Sequence, residues 1–175
     1  MLFMDKKEIE RLKSLKVFVR NINKQPLKYF KDYNDLSKSG KKNLKINGCY
    51  VIFDNTYKNN HKPIYIGSNS TTKRKIGDRL YQIQRCGSHP LPYRIITSKR
   101  IGKEPFGKLN KKEKKNLHGE ESKSWFKDYC KRHLSYKFIE EQSNPLLIES
   151  GLIFIFKPIY NSQSKEFEEQ NKVNK

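Results

Sequence analysis

Phenols, a guanidinium and one isolated carboxylate are the groups in this sequence whose types and order suit chemistry on a phosphate. Two tyrosines lie in short glycine-bearing segments, Gly48-Cys49-Tyr50 and Tyr65-Ile66-Gly67, and Arg79 follows on a stretch with helical period. Glu149 then stands alone inside an apolar run, ahead of Lys157-Pro158-Ile159-Tyr160-Asn161. Hydrolysis of a phosphodiester needs positive charge against the non-bridging oxygens, a base for the attacking water, and a metal or acid at the leaving oxygen. Each residue is unremarkable singly; their order is the informative part. Glu149 is the sharpest anomaly, because desolvating a carboxylate costs several kcal/mol unless it finds a partner or a metal, or points outward beside Ser150.

The charge balance fits such a substrate. The chain has 175 residues, with 38 Lys and Arg against 18 Asp and Glu, a formal charge of +20. The excess runs along the whole chain, so most of the surface is expected to be positive and to favour polyanions through counterion release. An AT-rich genome raises lysine and asparagine counts too, but it supplies Glu and Asp as well and leaves the net excess unexplained. Cys49, Cys86 and Cys130 are odd in number with no Cys-x-x-Cys pair, which argues against a zinc ribbon or a disulfide framework. Cys130 and His133 lack a matching second pair of ligands and read as structural. Met1 to Glu10 is charged rather than signal-like, and the longest apolar run, Leu152 to Phe156, is too short to span a bilayer. A reducing, cytoplasmic setting is the expectation.

Several elements must position these groups. Ile9, Leu12, Leu15 and Phe18 or Val19 recur at helical spacing, so residues 1–46 read as a basic helical lead-in, broken at Asn21 to Pro26 and by a polar loop at Ser37 to Lys42. That lead-in is either packed on the main domain or a DNA-touching arm. Cys49 to Phe53 reads as a strand buried on both faces, and Ile64 to Gly67 as its hairpin partner. Hydroxyls from Ser68 to Thr72 are expected to cap a helix from Lys73 to Gln84, with Ile76, Leu80 and Ile83 inward and Lys73, Arg74 and Lys75 outward. Tyr93 to Ile101 reads as extended, residues 99–117 as a lysine-rich insertion without regular structure, and Trp125 to Tyr129 as helix. Leu134, Tyr136 and Phe138 alternate with Ser135, Lys137 and Ile139, a strand pattern. Asn144-Pro145 starts a helix expected to carry Leu147, Ile148, Leu152 and Ile155 inward and to stop before Pro158.

This set of motifs resembles the GIY-YIG nuclease family over residues 47–161. Gly48-Cys49-Tyr50 stands for the first signature, with Cys49 in place of a branched aliphatic residue, and Tyr65-Ile66-Gly67 for the second. Arg79, Glu149 and Asn161 follow in the family's order. The resemblance implies an α+β fold: a small, mostly antiparallel three-stranded sheet flanked by helices, with the nuclease domain over 47–162 and a polar tail over 163–175. It also implies roles. Tyr65 would accept the proton of the attacking water, with Tyr50 beside it and Lys73 as helper. Arg79 would hold the scissile phosphate, Glu149 would bind a single divalent cation (Mg²⁺, with Mn²⁺ as substitute), and Asn161 would orient the site. Arg74 and Arg85 remain alternatives to Arg79. Where many relatives carry His or Tyr one turn after the arginine, this chain has Ile83, leaving Tyr81 or His89 as stand-ins.

The implied activity is metal-dependent hydrolysis of DNA, with restriction-type cleavage of duplex DNA by a homodimer as the nearest subclass. The alternatives are a non-catalytic basic nucleic-acid-binding protein, and a homing, repair or RNA-directed nuclease of the same fold. Lys73, Arg74 and Lys75, with Lys111, Lys112, Lys114 and Lys115, are the candidate backbone contacts. Neutralising the last four together should weaken DNA binding and flatten its dependence on salt. An unchanged slope of log affinity against log salt would show that these lysines never meet the phosphates.

Overall fold

The segment Gly48–Asp54 (β2) is buried at every position because it is an inner strand with layers on both sides. The computed structural model describes residues 6–30, 46–57, 62–69, 75–140 and 144–161. Among them, β2 pairs with Tyr65–Asn69 (β3) on one side and with Leu134–Glu140 (β4) on the other. Lys28–Tyr29 (β1) adds to the far edge of β4, giving a fully antiparallel sheet in the order β1-β4-β2-β3. The fold is α+β, as expected. The sheet has four strands rather than three, because the lead-in contributes its own short edge strand.

Two helical layers enclose the sheet. On one face, Tyr50, Ile52, Leu134 and Tyr136 pack against Ile76–Gln84 (α2), Pro90–Ile95 (α3) and Glu120–His133 (α5), through Leu80, Ile83, Leu91, Ile95 and Phe126. On the other, Val51, Phe53, Ile66 and Ile139 pack against Lys6–Lys24 (α1) and Pro145–Phe156 (α6), through Ile22, Ile148, Leu152 and Ile153. Burial of each such side chain contributes about 1.5–3 kcal/mol. The alternation read in β4 is the division between these two cores.

Helix α1 is part of the packed body. It continues past Asn21 to Lys24, and Lys137 of β4 explains why: its Nζ donates to the carbonyls of Ile22, at 2.9 Å, and Asn23, at 3.4 Å. Those terminal carbonyls have no partner inside the helix, and a cation also suits the helix's negative end. Gly151 admits the helix pair: a Cβ there would lie 2.8 Å from a methyl of Leu15.

Three other expectations are corrected. Residues 93–101 are not extended: His89 and Pro90 start α3, which runs directly into a π-helical turn, Ile96–Arg100. The β-branched Ile95-Ile96-Thr97 imitates a strand, but the cap and the helix-starting proline prevail. Within the lysine-rich insertion, Lys111–His118 is a helix (α4), opened by a reciprocal Asn110–Glu113 capping box at 2.8 and 2.9 Å. That Asn-x-x-Glu signal is present in the sequence. Helix α2 begins at Ile76, with Asp78 accepting the Lys75 N–H at 3.1 Å, and Ser68 belongs to β3 instead of capping it. Thr71 and Thr72 lie outside the described residues.

Helix α6 starts where Asn144 accepts the Leu147 N–H, and ends at Lys157 in the left-handed conformation (φ 46°). Its inward stripe is Ile148, Leu152 and Ile153, whereas Leu147 and Ile155 are exposed. A helix that is apolar nearly all round offers no period from which to read its buried face. The stripe that is buried has Glu149 on its flank.

Candidate active site

The two phenols meet because one strand residue has no side chain. Tyr50 of β2 lies directly opposite Gly67 of β3, and Tyr65 precedes Gly67 by two residues on the same face. The Tyr50 ring leans across the vacant position toward Tyr65, with ring centres 6.3 Å apart and planes inclined by 28°. A Cβ on residue 67 would lie 2.6 Å from Tyr50 Cζ, would contact its hydroxyl, and would lie 3.0 Å from the Tyr65 ring. The glycine of the second signature is therefore a packing requirement.

A hydrogen bond from His89 anchors the Tyr50 hydroxyl. His89 caps α3, and its Nδ1 accepts the Leu91 N–H at 3.1 Å. The neutral imidazole must then carry its proton on Nε2, which sits 2.9 Å from Tyr50 Oη and donates to it. Burial pushes the Tyr50 pKa well above 10, reinforced by Tyr65 and Glu149 and opposed by Arg79. Burial also raises Tyr65, as does the Glu149 charge, while Arg94, Arg79 and the Tyr50 hydroxyl act the other way. Both phenols are thus held protonated, Tyr65 less strongly than Tyr50.

Glu149 and Asn161 reach β3 from its outer edge. Beyond β3 the sheet has no further strand among the described residues, and the C-terminal segment supplies the missing partners. Tyr160 N–H donates to the Ile64 carbonyl at 3.0 Å. The Asn161 side-chain amide both accepts from Ile66 N–H at 2.9 Å and donates to its carbonyl at 2.7 Å, as a neighbouring strand would. Further along the edge, Glu149 Oε2 accepts the Ser68 hydroxyl. Burial raises the Glu149 pKa; the Ser68 contacts and Arg79 counteract it. An ionised carboxylate offers about four lone-pair sites, so the Ser68 bond leaves acceptor capacity unused.

Arg79 approaches from α2. Its Nε is buried and meets no hydrogen-bond acceptor, and its guanidinium has no carboxylate within ion-pair distance among the described residues. It acts electrostatically on Tyr50, Tyr65, His89 and Glu149 alike. Arg85, by contrast, is exposed and lies over the Tyr81 ring at 5.3 Å, and Ile83 is core. Of the alternatives weighed in the sequence, the structure thus joins Arg79 and His89 to the tyrosines; Arg74 and Lys73 lie outside the described residues. Lys75 bonds Asn47 Oδ1 at 3.0 Å. Lys111, Lys112, Lys114 and Lys115 are exposed on α4, whose final residue His118 contacts Tyr93 of α3 (ring centres 5.0 Å apart). The residue least visible in the sequence is Arg94 on α3, the second arginine whose charge reaches Tyr65, because its segment reads as strand rather than helix.

Comparisons of the chain with family models, with curated proteins and with solved structures find no match in any of the three.

Burial, with Arg79 and Arg94 nearby, lowers the His89 pKa from 6.5 to about 3. Between these values the unfolded chain binds a proton that the folded chain lacks. Stability present above the unfolded value is therefore lost as pH falls through this window, at up to ~1.4 kcal/mol per pH unit. His89→Gln should flatten the dependence of unfolding free energy on pH by about one proton there, as read from urea titrations. A slope unchanged by the replacement would show that His89 takes up its proton in the native state.

Proposed function

We propose that this chain is a divalent-metal-dependent endonuclease of the GIY-YIG type that hydrolyses phosphodiester bonds in DNA. The observation that carries this reading is the convergence around β3 of two stacked phenols, a half-buried carboxylate and an arginine whose buried Nε has no partner. A merely structural cluster would satisfy that guanidinium internally, since unpaired buried polar groups are costly. A phosphate supplies the missing acceptor, in the planar geometry for which guanidinium is suited.

The donor set fits a hard cation. No group of three His, Cys, Asp or Glu side chains able to hold a metal occurs among the described residues, so a multi-ligand protein cage is not the form to expect. Glu149 alone retains oxygen capacity beside the phenols, which suits Mg²⁺, or Mn²⁺ in its place, binding through one carboxylate together with water and phosphate oxygens. When bound, such a cation would neutralise the Glu149 charge and stabilise charge developing on the phosphate. The chain's own groups do the rest. Arg79 holds the phosphate, Tyr65 would accept the proton of the attacking water as phenolate, the form that Arg79 and Arg94 favour against burial, His89 holds Tyr50 beside it, and Asn161 holds the Tyr65 strand in place.

The +20 charge and the exposed lysines of α4 favour a polyanion over a small phosphate ester as substrate. Duplex DNA, restriction-type specificity and action as a homodimer are the finer parts of the proposal and rest on analogy with the family. No helix among the described residues is long and apolar enough to cross a membrane.

Plasmid incubated with Mg²⁺ should be nicked by the wild type and left intact by Glu149→Gln, with DNA affinity nearly unchanged, because glutamine keeps an acceptor oxygen for Ser68. Tyr65→Phe should slow cleavage at least about a hundredfold. Nicking by Glu149→Gln at the wild-type rate would refute the metal role, and binding without cleavage by the wild type would leave a nucleic-acid-binding protein.

A further inference from the structure

Helix α3 brings a second guanidinium to the site. Arg94 Nη1 donates to the Tyr160 carbonyl, in the segment that seals β3, and its guanidinium lies over the Phe106 ring at 4.5 Å. These two contacts fix the fork while using one of its five donors. Arg94 is half-buried and, like Arg79, has no carboxylate within ion-pair distance among the described residues. Arg100 and Arg132 in the same chain are ion-paired, at 2.5 and 2.7 Å. Two partly desolvated cations without counter-ions beside one phenol form a site that is electrostatically incomplete until anions enter.

Their positions differ. Glu149 bonds Ser68 at one end of β3, whereas Arg94 holds the Tyr160 carbonyl, and the Tyr160 N–H pairs with Ile64 just before the other end. Arg94 is therefore anchored toward the end of β3 that Tyr65 opens, away from Glu149. A single diester phosphate carries one negative charge, and Arg79 with Glu149 already defines where it sits. From the anchored fork of Arg94, its lack of a counter-ion and its place beyond Tyr65, we infer that Arg94 binds the phosphate adjacent to the reacting one on the same strand. The site then requires two consecutive phosphates, and a mononucleotide diester fills it only in part. This inference rests on the endonuclease reading above and adds a residue and a substrate length to it.

The test combines Arg94→Gln and Arg94→Lys with DNA in which single phosphates are replaced by neutral methylphosphonates. Arg94→Gln should raise KM roughly tenfold or more, as expected for loss of a hydrogen bond to a charged group, with a smaller fall in kcat because the Arg94 charge also favours ionised Tyr65. In the Glu149→Gln background, the same change should reduce the slope of log affinity against log salt by about 0.9. Arg94→Lys, which keeps the charge, should restore most of both. Wild-type protein should bind less tightly when the phosphate next to the cleaved bond is neutralised, and Arg94→Gln should be indifferent to that replacement. Cleavage by the wild type with no such sensitivity, or an unchanged salt slope in Arg94→Gln, would assign Arg94 to holding the Tyr160 segment and overturn the inference alone. Absence of both cleavage and DNA binding in the wild type would overturn it together with the endonuclease reading. The methylphosphonate series on the wild type decides the matter even if both variants fail to fold.

Discussion

The site depends on a side chain that is missing. In an antiparallel pair, directly opposed residues compete for the same space above the sheet, and Tyr50 is opposed by Gly67. With that space free, the Tyr50 phenol crosses over β3, lies alongside Tyr65 and reaches His89 at 2.9 Å. Any larger residue at 67 would meet the Tyr50 ring before it met anything else. The constraint propagates outward. Because β3 is an edge strand, its outer hydrogen-bonding groups need partners, and the residues that provide them, Asn161 through its amide and Glu149 through its carboxylate, come from the end of the chain. Strand completion and assembly of the site are thus one event, and α6 must dock on the second core before either is finished.

Charge is distributed unevenly around that edge. The phenols are buried and held neutral, His89 is kept uncharged by desolvation and by both arginines, and Glu149 is half-buried with Ser68 as its bonded neighbour. Against this stand two guanidinium groups without ion-pair partners among the described residues. A protein selected only for stability would pair or expose them, since a desolvated unpaired charge is among the costlier things a fold can retain. The retained imbalance is what supports the proposal that this edge receives an anion and a cation together.

How much of this was legible in the sequence follows from which signals are local. The inner strand and its partner were readable from the apolar run Cys49 to Phe53 and from the Tyr-Ile-Gly segment, and β4 from its alternation. Arg79 and Glu149 were legible as candidates through order and isolation. The remainder depends on geometry that only tertiary packing settles. His89 reads as a turn residue before a proline, and becomes a proton-direction device only once α3 stands beside Tyr50. Arg94 lies in a β-branched segment that reads as extended, and the Asn110–Glu113 cap is masked by a stretch dominated by lysine. The inward face of α6 is not legible because nearly every residue there is apolar, and periodicity carries information only where polar residues interrupt it.

The most direct measurement is Mg²⁺-dependent DNA cleavage by Gly67→Ala, made on protein whose far-UV circular dichroism and DNA affinity match the wild type. The added methyl displaces the Tyr50 ring and separates it from His89, so the account predicts a loss of cleavage rate of about a hundredfold or more with binding retained. Folded Gly67→Ala protein that cleaves as fast as the wild type would contradict it, since the phenol pair would then have no part in the chemistry.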